Sequence, residues 1–476
     1  MKDEMTKYTE RRSRQWDTIA PFYARKGLNS GYHDRLIELF RDIIPENLSI
    51  IEIGSGCGNL LASLNPCRAV GIDFSAEMTR VAQLSHPEIQ FIQADAHDLD
   101  GISGVFEIII LSDLLNDLWD VQRVLEQIHR FCTPSTRIVC NIYSHLWALP
   151  LRFAQIVGLA TPMLPQNWLT VEDMSGLLRL AGFDVVNHRI EILCPLNVPI
   201  IGSLCNRYLA KFFPFNLFDL THILVARPMK AVPTIDCLPS VSIIVPARNE
   251  AGNIAKILRA IPQMGSMTEV VFVEGGSSDD TFETIEREIL RCHNIKCQLW
   301  RQTGVGKGDA VRLGFEKASG DILMILDADI TVPPDDLAKF FKALVDGHGE
   351  FINGVRLVYP MHDKAMRFLN LIGNKFFSKA FSWLLGQAIK DTLCGTKALW
   401  KRDYLRISSQ REYFGNFDPF GDFDLIFGAA RLNLKIIDLP VRYGERTYGT
   451  TNINRWSHGL LLLQMLIFAA NKIKFK

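Results

Sequence analysis

The chain has 476 residues, and its 52 basic residues are balanced by 52 acidic residues. This length exceeds a single ordinary hydrophobic core and indicates two domains of roughly 200 residues each. The balanced charge creates no overall field for a polyanion, which argues against nucleic acid as a partner. The 10 cysteines include no C-x-x-C pair, so we expect reduced thiols in a cytoplasmic protein, without a zinc site or a disulfide framework.

Charge and proline patterns predict how the chain is divided. Residues 1–17 are charged and lack an apolar core, so we expect no secretory signal. A proline-rich stretch at 228–240 predicts a linker between one domain at 1–227 and a second at 241–458. Residues 459–476 are apolar and then basic, which fits either a buried terminal helix or a helix that lies on a membrane surface. No apolar run reaches about 18 residues, so we expect no membrane-spanning helix.

A glycine-rich turn organises the first half of the sequence. Helical periodicity over residues 12–44 is followed by LSIIEIGSGCGNLLASL at 48–64, which predicts a strand, a turn and a helix. Glycines in such a turn let backbone amides approach a ligand that side chains would exclude. Asp73 ends the next predicted strand, where a carboxylate can accept hydrogen bonds from both ribose hydroxyls of a nucleoside.

Later motifs distinguish two classes of nucleotide-binding fold. Predicted strands end at Asp95 and Asp113, and LLRLAGF at 177–183 predicts the end of a helix, a glycine and a strand. Together with EIGSGCG at 52–58, these features resemble class I S-adenosylmethionine-dependent methyltransferases, over roughly residues 12–227, more than Rossmann dehydrogenases. The resemblance implies a Rossmann-like α/β sheet of seven strands, one of them antiparallel. It also implies that S-adenosylmethionine is held by Glu52, Gly54, Gly56, Gly58, Asp73, Asp95 and Ala96.

The methyl acceptor does not follow from the sequence. Methyl transfer from a sulfonium needs mainly alignment of the nucleophile and sometimes a base. His97, His129, Tyr143 and His145 are candidates for that base, and each also fits an ordinary structural role. An alternative is that the first domain has lost catalysis and only positions the second.

The second half contains predicted strands that deliver polar groups at their carboxyl ends. The stretch VSIIVPARNE at 241–250 offers Pro246, Ala247, Asn249 and Glu250 to a base and ribose. The next strand ends at Glu274, a carboxylate that can accept hydrogen bonds from a base. The loop TGVGKG at 303–308 carries Lys307, whose ammonium can approach a phosphate, although its spacing is not that of a P-loop.

The stretch ILMILDADITVPP at 322–334 predicts a buried strand that ends in two carboxylates. Open α/β sheets bind ligands at this end of their strands. Asp327 and Asp329 point the same way on an extended backbone, and they repel each other unless a cation lies between them. Mg²⁺ or Mn²⁺ shared with substrate phosphates would remove the repulsion. An isolated D-x-D also fits a polar turn, but the neighbouring motifs favour a metal site.

The ordered series VPARNE, VEGGSSDDT, GKGDAVRLG and LDAD resembles family 2 glycosyltransferases of the GT-A fold, most closely the branch of dolichol-phosphate mannose synthase. The similarity continues through GVR at 354–356, DTLCGT at 391–396 and ERTYGTTNI at 445–453, and it covers residues 240–458. It implies a GT-A α/β sheet, a GDP- or UDP-hexose donor, a polyprenyl phosphate or glycolipid acceptor, and Mg²⁺ or Mn²⁺ on Asp327 and Asp329.

The same resemblance implies roles for charged residues further along the chain. Arg356 and Arg446 match arginines that bind phosphate, and Asp391 matches an acidic residue near the sugar. The alternative is that the two arginines form ordinary surface ion pairs. Two departures stand out. Gly275 replaces the second aspartate of the usual V-D-D-G-S, which leaves base recognition to Glu274. The dipeptide at 451–452, Thr-Asn, replaces the usual Ser-Lys and removes one expected phosphate contact.

The acceptor determines whether a general base is needed. A lipid phosphate is already anionic, so the metal and the arginines would carry catalysis electrostatically. A sugar hydroxyl would need Asp422 or Asp424 as general base. Either aspartate also suits capping the helix that follows it. The sequence leaves both acceptors open.

From the sequence we predict a bifunctional α/β enzyme in which an S-adenosylmethionine-dependent methyltransferase domain is fused to an inverting glycosyltransferase of cell-surface polysaccharide synthesis. We expect it in the cytoplasm, resting on the membrane through the aromatic region 192–224 and the segment 459–476. The alternatives are a glycosyltransferase that extends a glycan through a hydroxyl, and a nucleotide-binding scaffold without chemistry. The sugar and the oligomeric state do not follow.

Overall fold

The computed structural model describes residues 2–26, 31–158, 160, 163–229, 238–356, 368–411, 423–444, 446, 448 and 455–475. The chain divides into two compact units, residues 1–229 with 475–476 and residues 230–474. The division, between residues 229 and 230, falls within the predicted linker at 228–240. Each unit is built on its own seven-stranded sheet.

The sheet of the first unit has the order β3-β2-β1-β4-β5-β7-β6. Only β7 runs antiparallel to its neighbours, and the pairs among β1 to β5 are parallel. The predicted seven-stranded sheet with one antiparallel strand is therefore confirmed. The strands are β1 (Ser49–Ile53), β2 (Arg68–Asp73), β3 (Gln90–Gln93), β4 (Ile108–Leu111), β5 (Arg137–Tyr143), β6 (Phe183–Glu191) and β7 (Thr221–Pro228).

Helices cover both faces of this sheet, which explains why its central strands are apolar throughout. In β4, Ile108 and Ile110 pack into the cluster on one face, and Ile109 and Leu111 pack into the cluster on the other. The helices are α1 (Lys2–Lys26), α2 (Gly31–Ile43), α3 (Asn59–Ser63), α4 (Ala76–Ser85), α5 (Val121–Gln127), α6 (Ala148–Ile156), α7 (Val171–Leu180) and α8 (Ile201–Arg207).

The sheet of the second unit has the order β10-β9-β8-β11-β13-β12-β14, and β13 runs antiparallel to both of its neighbours. The other pairs are parallel. This is the second α/β sheet that the sequence predicts. The strands are β8 (Val241–Ala247), β9 (Thr268–Glu274), β10 (Lys296–Arg301), β11 (Ile322–Ile325), β12 (Phe351–Val355), β13 (Lys397–Trp400) and β14 (Ile436–Pro440).

The helices of the second unit are α9 (Ala251–Ala260), α10 (Thr281–Arg291), α11 (Lys307–Lys317), α12 (Leu337–Val345), α13 (Phe368–Leu385), α14 (Lys401–Ser409), α15 (Phe423–Arg431) and α16 (Arg455–Ile473). On one side of the sheet, α9, α10 and α12 pack on a large apolar cluster to which β8, β9 and β11 contribute Ile243, Phe272 and Met324.

The C-terminal apolar segment belongs to α16, which begins before the predicted boundary at 459 and packs against α13. Its Leu462, Met465 and Ala469 are buried, whereas Leu460 and Ile467 are more than half exposed. The helix is thus partly a core element and partly an apolar surface. Across the residues that the structure describes, every helix falls short of the length and apolarity that a membrane crossing demands.

Candidate functional site

Two aspartates follow the buried strand β11, and each carboxylate faces one cation. Lys307 Nζ lies 2.7 Å from Asp327 Oδ1. Arg446 Nη2 donates to Asp329 Oδ2 at 2.8 Å. The backbone N–H and hydroxyl of Thr331 both donate to Asp329 Oδ1, at 3.1 and 2.7 Å. The mutual repulsion expected of the pair is therefore balanced by basic side chains from α11 and from the segment after β14.

Electrostatics keep Asp329 ionised. Burial opposes its ionisation, but the hydrogen bonds from Arg446 and Thr331 outweigh burial and hold the pKa of Asp329 below its usual value. The same arginine reaches a third carboxylate, because Arg446 Nη1 lies 3.5 Å from Glu250 Oε1. Burial raises the pKa of Glu250, and Arg446 opposes that increase.

The donor set fits a hard divalent cation that is shared with a ligand. Asp327 and Asp329 supply carboxylate oxygens, which Mg²⁺ and Mn²⁺ prefer. Within the described ranges no group of three or more His, Cys, Asp or Glu side chains could hold a metal ion. A cation on these two aspartates would need further oxygens from outside the protein, as Mg²⁺ commonly takes from phosphates.

A glycine turn presses against the carboxylate of Asp327. A Cβ built on Gly395 would overlap both Asp327 Oδ2 and Lys307 Nζ. The turn that carries Gly395 leads into β13, the antiparallel neighbour of β11, so the sheet itself sets this close approach. A side chain at position 395 would force the Asp327–Lys307 pair to shift.

A buried bidentate ion pair lies at the end of β12. Arg356 Nε and Nη2 donate to the two carboxylate oxygens of Asp391 at 2.7 and 2.9 Å, and the Arg356 backbone N–H donates to the same carboxylate at 3.2 Å. Burial opposes the ionisation of Asp391, but Arg356 outweighs it and lowers the pKa of Asp391. The guanidinium also lies over the Tyr443 ring, 5.2 Å from its centroid. This pair is a rigid, preformed element of the second unit.

The loops after β8 and β9 are tied together by hydrogen bonds. Asn249 has a φ of +57°, and its Oδ1 accepts from the Ser278 N–H at 2.7 Å. The Asn249 N–H donates to Ser277 Oγ at 3.0 Å, and the Ser277 N–H donates to Glu274 Oε1 at 2.5 Å. The Glu250 N–H donates to Thr281 Oγ1 at 2.9 Å. Asn249 and Glu274 therefore belong to one connected network, and Glu250 is held separately by Thr281.

The first unit contains an open cavity of about 760 Å³ at the carboxyl ends of its central strands. The glycine turn forms one wall, with positive φ of +77° at Gly54 and +51° at Gly56. Helix α1 forms another wall and is fastened there by Arg12, whose Nη1 donates to Asp117 Oδ1 at 2.6 Å. The lining includes Tyr8, Arg12, Trp16, Gly54, Gly56, Asp73, Asp95, Ala96, His97, Ser112, Asp113 and Asp117.

Asp73 and Asp95 meet this cavity with different electrostatics. Asp73 accepts from the N–H groups of Gly56 and Ser75, both at 2.9 Å, but burial outweighs these bonds and raises its pKa to about 6. Burial also disfavours ionised Asp95, yet hydrogen bonds from His97 prevail and lower its pKa. His97 Nδ1 lies 2.7 Å from Asp95 Oδ1.

The comparisons with known proteins assign both units. Residues 23–188 match the family described as "Methyltransferase domain", and residues 242–406 match "Glycosyl transferase family 2". The chain joins a methyltransferase domain to a family 2 glycosyltransferase domain. This confirms both resemblances predicted from the sequence.

Several curated proteins are similar to the glycosyltransferase domain. Glycosyltransferase AglJ of Haloferax volcanii is 29% identical over 225 residues, which are 47% of this chain and 68% of that protein. Undecaprenyl-phosphate 4-deoxy-4-formamido-L-arabinose transferase of Edwardsiella ictaluri is 23% identical over 232 residues, 48% of this chain and 66% of that protein. Dolichol-phosphate mannosyltransferase of Saccharomyces cerevisiae is 33% identical over 110 residues, 22% and 41% of the two chains. The matches thus span about two thirds of the first two relatives and less of the third.

In the glycosyltransferase domain, five predicted residues form two neighbouring groups of ion pairs. Lys307 meets Asp327, and Arg446 joins Asp329 to Glu250. Asn249 and Glu274 belong to the neighbouring loop network, and Pro246 and Ala247 are the last residues of β8. Arg356 and Asp391 pair with each other. The roles assigned to all these residues stay predictions.

The two proposed general bases have different outcomes. Asp424 lies in α15, where its Oδ2 is 3.4 Å from Arg411 Nε and 3.8 Å from Arg312 Nη1. Asp422 lies outside the described residues. The structure thus places Asp424 in an ion-paired cluster that also involves α11, and its role as base stays a prediction.

In the methyltransferase domain, Gly54, Gly56, Asp73, Asp95 and Ala96 line the cavity together. The two other predicted residues lie beside it. Glu52 is buried on an adjoining cavity, its Oε2 has no hydrogen-bond partner among the described residues, and burial raises its pKa well above the usual range. Gly58 precedes α3, where a Cβ would overlap the ring of Phe91.

The sequence does not reveal the residues that complete this cavity from a distance. Tyr8, Arg12 and Trp16 of α1 reach it, although they precede the glycine turn by about 40 residues. Asp113 is the other addition. It ends the predicted fourth strand, and its Oδ1 accepts from Tyr32 Oη at 2.7 Å and Asn141 Nδ2 at 2.6 Å. Its position after a strand was the one available signal.

Three of the four proposed methyl-transfer bases make other contacts. His129 stacks on Phe183 with centroids 4.1 Å apart and bonds to the Ala181 carbonyl, so it has a structural role. His145 Nε2 lies 3.0 Å from the Trp168 carbonyl oxygen. Tyr143 ends β5 and packs edge-on against Tyr32. His97 alone of the four lines the cavity of about 760 Å³.

The raised pKa of Asp73 predicts a pH dependence of S-adenosylmethionine binding. Ribose hydroxyls would donate to the ionised carboxylate, so binding would favour that form, and affinity should fall as the pH drops through about 6. We expect Asp73→Asn to weaken binding roughly 10- to 100-fold at neutral pH and to remove this pH dependence. Isothermal titration calorimetry measures both effects, with the exposed Asp98→Asn as control. Unchanged binding by Asp73→Asn would contradict the assignment.

The close approach of Gly395 predicts a strong effect of one methyl group. In Gly395→Ala the added Cβ must displace the Asp327–Lys307 pair, and a misplacement of about 1 Å can cost roughly 100-fold in turnover. Hexosyl transfer from a labelled donor measures this loss. Gly373→Ala in α13 is the matched control, because its Cβ would meet nothing within 4 Å. Equal activity of the two variants would show that this contact has no catalytic consequence.

Proposed function

We propose that the glycosyltransferase domain transfers a hexosyl group from a nucleotide-diphosphate sugar to a polyprenyl phosphate or related glycolipid. The observation that carries the proposal is the aspartate pair after β11, whose two carboxylates are each matched by one basic side chain. Such a group of charges suits a diphosphate with its metal ion, because both the cation and the anion of that ligand find a counter-charge.

The residues have defined roles in this reaction. Mg²⁺ or Mn²⁺ on Asp327 and Asp329 would neutralise the departing nucleoside diphosphate. Lys307 and Arg446, which lie beside these carboxylates, would contact the phosphate oxygens of the donor. Arg356, fixed by Asp391, presents a guanidinium of defined orientation at the end of β12. The acceptor oxygen then displaces the diphosphate directly at the anomeric carbon, with inversion.

The surroundings of Asp424 favour a phosphate acceptor over a hydroxyl. A phosphate oxygen is already anionic and needs no general base, whereas a hydroxyl does. Asp424 lies near two arginines, Arg312 and Arg411, so its carboxylate is already engaged in ion pairs. The similarity to an undecaprenyl-phosphate transferase and a dolichol-phosphate mannosyltransferase supports the same choice.

The first domain would bind S-adenosylmethionine and transfer its methyl group. Asp73 would hold the ribose, and Asp95 and Ala96 the adenine side. Asp113, which lines both the large cavity and the adjoining one, is placed to take the acceptor's proton. S-adenosylmethionine would supply the methyl group at this cavity, and the Asp113 carboxylate would accept the proton that the acceptor loses.

We propose that the protein works in the cytoplasm, at the membrane surface. The exposed Leu460, Leu463 and Ile467 lie on α16 ahead of Lys472, an arrangement that suits the boundary between headgroups and acyl chains. A bifunctional enzyme of this kind would serve the assembly of a cell-surface polysaccharide on a lipid carrier.

One experiment tests the glycosyltransferase proposal. The full chain is incubated with labelled GDP- and UDP-hexoses, polyprenyl phosphate and Mn²⁺, and we expect a labelled product that extracts into chloroform. A labelled product formed only with a hydroxyl-bearing glycan would identify the glycan-extending alternative instead. Donor binding without any product would support the scaffold alternative and overturn the proposal.

A further inference from the structure

Two segments of the methyltransferase domain meet at the same end of the sheet as the cavity, where the parallel strands have their carboxyl ends. Helix α6 follows β5 at its carboxyl end, and residues 192–220 connect the end of β6 to the start of β7. Thr221 pairs with Tyr143 of β5 and with Glu191 of β6, so both segments leave the sheet at the same end of its strands. Because β1, β4 and β5 are parallel, the glycine turn and Asp113 lie at this same end of the strands.

The outer surface of these segments is apolar to an unusual degree. Leu149 is 77% exposed, Ile156 78%, Ile200 77% and Phe213 78%. The remaining large apolar side chains that the two segments expose are Leu146, Phe153, Val157, Leu196, Val198, Ile201, Leu204, Tyr208, Leu209, Phe212, Phe215, Leu217 and Phe218. Soluble monomers rarely expose so many contiguous apolar side chains, and larger patches of this kind mark protein or membrane contacts.

The surface is a built part of the domain. Trp147 Nε1 donates to the Phe218 carbonyl at 2.8 Å and joins the two segments. Asn206 both accepts from the Cys194 N–H and donates to the Cys194 carbonyl, each at 2.8 Å. Lys211 pairs with Glu191 beneath the surface. Trp147, Asn206 and Lys211 are thus paired internally while the apolar groups point outward; Asn216 Oδ1 and both carboxylate oxygens of Asp219 are buried without a hydrogen-bond partner among the described residues.

The charges identify the occupant. No aspartate or glutamate occurs between residues 145 and 171 or between 192 and 218, and the exposed charged residues there are the cations Arg152 and Arg207. An apolar surface with a basic fringe is complementary to a bilayer that contains anionic lipids. A protein partner would more commonly face a polar rim of both signs.

We propose that this surface, formed by α6 and residues 192–218, docks the methyltransferase domain onto an anionic membrane. Docking turns the carboxyl ends of the parallel strands, where the cavity lies, toward the bilayer. The acceptor of the methyl group is therefore a molecule carried by the lipid phase. Methylation of a molecule in the lipid phase rests on the proposed methyltransferase function, whereas binding of the domain to the membrane does not.

The test compares two triple variants of the full chain. Leu149→Ser, Ile200→Ser and Phe213→Ser alter the surface; Leu84→Ser, Leu180→Ser and Leu290→Ser are the control, since these leucines are at least 70% exposed elsewhere. Both are made in a chain that also carries Leu460→Ser, Leu463→Ser and Ile467→Ser, which removes the exposed side chains of α16 from the measurement. Circular dichroism verifies the fold of each variant.

Flotation with vesicles of equal phosphatidylglycerol and phosphatidylcholine gives the readout. We expect the control to float with these vesicles and to float less with vesicles of phosphatidylcholine alone. The bound fraction of the surface variant should be lower by at least about tenfold. Equal flotation of the two variants, or none by the control, would overturn the proposal. A dimer that the surface variant abolishes, without flotation, would assign the surface to a second copy. Calorimetry with S-adenosylmethionine tests the methyltransferase function separately.

Discussion

Replacing Asp327 and Asp329 together by alanine is expected to lower hexosyl transfer at least about a thousandfold. The two carboxylates are the proposed ligands of the metal ion, and a bound metal contributes several kcal/mol to the stabilisation of a leaving diphosphate. The loss should appear in kcat for transfer from a labelled nucleotide-sugar. Manganese binding, followed by electron paramagnetic resonance in the presence of the nucleoside diphosphate, should disappear in the same variant.

A matched control lies on the same loop. Asp335 is an exposed carboxylate that follows the pair by a few residues, and Asp335→Ala should retain the full rate. Removal of the two aspartates also breaks the Lys307–Asp327 and Arg446–Asp329 ion pairs, so melting temperatures must be compared. A double variant that keeps its transfer rate would remove the basis of the assignment.

Replacing Arg356 by alanine should have the second large effect. It leaves the carboxylate of Asp391, which is only 2% exposed, without its bidentate partner. Breaking a buried ion pair from one side costs about 3–5 kcal/mol. For a domain of this size that corresponds to a fall of roughly 6–20 °C in the melting temperature of its transition, as measured by calorimetry. Transfer activity should fall as well.

A double-mutant cycle separates the pair from its surroundings. Arg356→Met combined with Asp391→Leu replaces both charges by apolar groups and should be more stable than Arg356→Ala alone, because no buried charge remains unpaired. Arg356→Lys keeps the charge but not the planar fork, so it should recover part of the stability and little of the activity. A double variant no more stable than the single one would argue against a buried charge as the cause.

The sequence predicts those parts of the sites that local pattern determines. The pattern of strands that end in polar residues predicted that Asp73, Asp327 and Asp329 lie where ligands bind, because parallel strands align their carboxyl ends. The glycine spacing at 54–58 predicted the sharp turn that the positive φ angles display. In each case the property depends on a few consecutive residues.

Other parts depend on tertiary packing and could not be predicted in the same way. Nothing near Gly395 in sequence indicates that its turn abuts Asp327, since β13 reaches β11 only in the folded sheet. Arg12 meets Asp117 across 105 residues to fasten α1 over the cavity. The aromatic region 192–224 was identified as apolar, but whether its side chains point inward or outward follows only from the fold.

The basic partners of the aspartate pair have a consequence for the order in which ligands add. An ammonium and a guanidinium already compensate the two carboxylates, so a free divalent ion must compete with them and gains little by binding alone. A nucleotide-sugar that arrives with its ion offers phosphates to the displaced cations, and the exchange then preserves charge balance throughout. Donor and ion are therefore expected to enter as a single complex, and the protein without substrate should hold manganese only weakly.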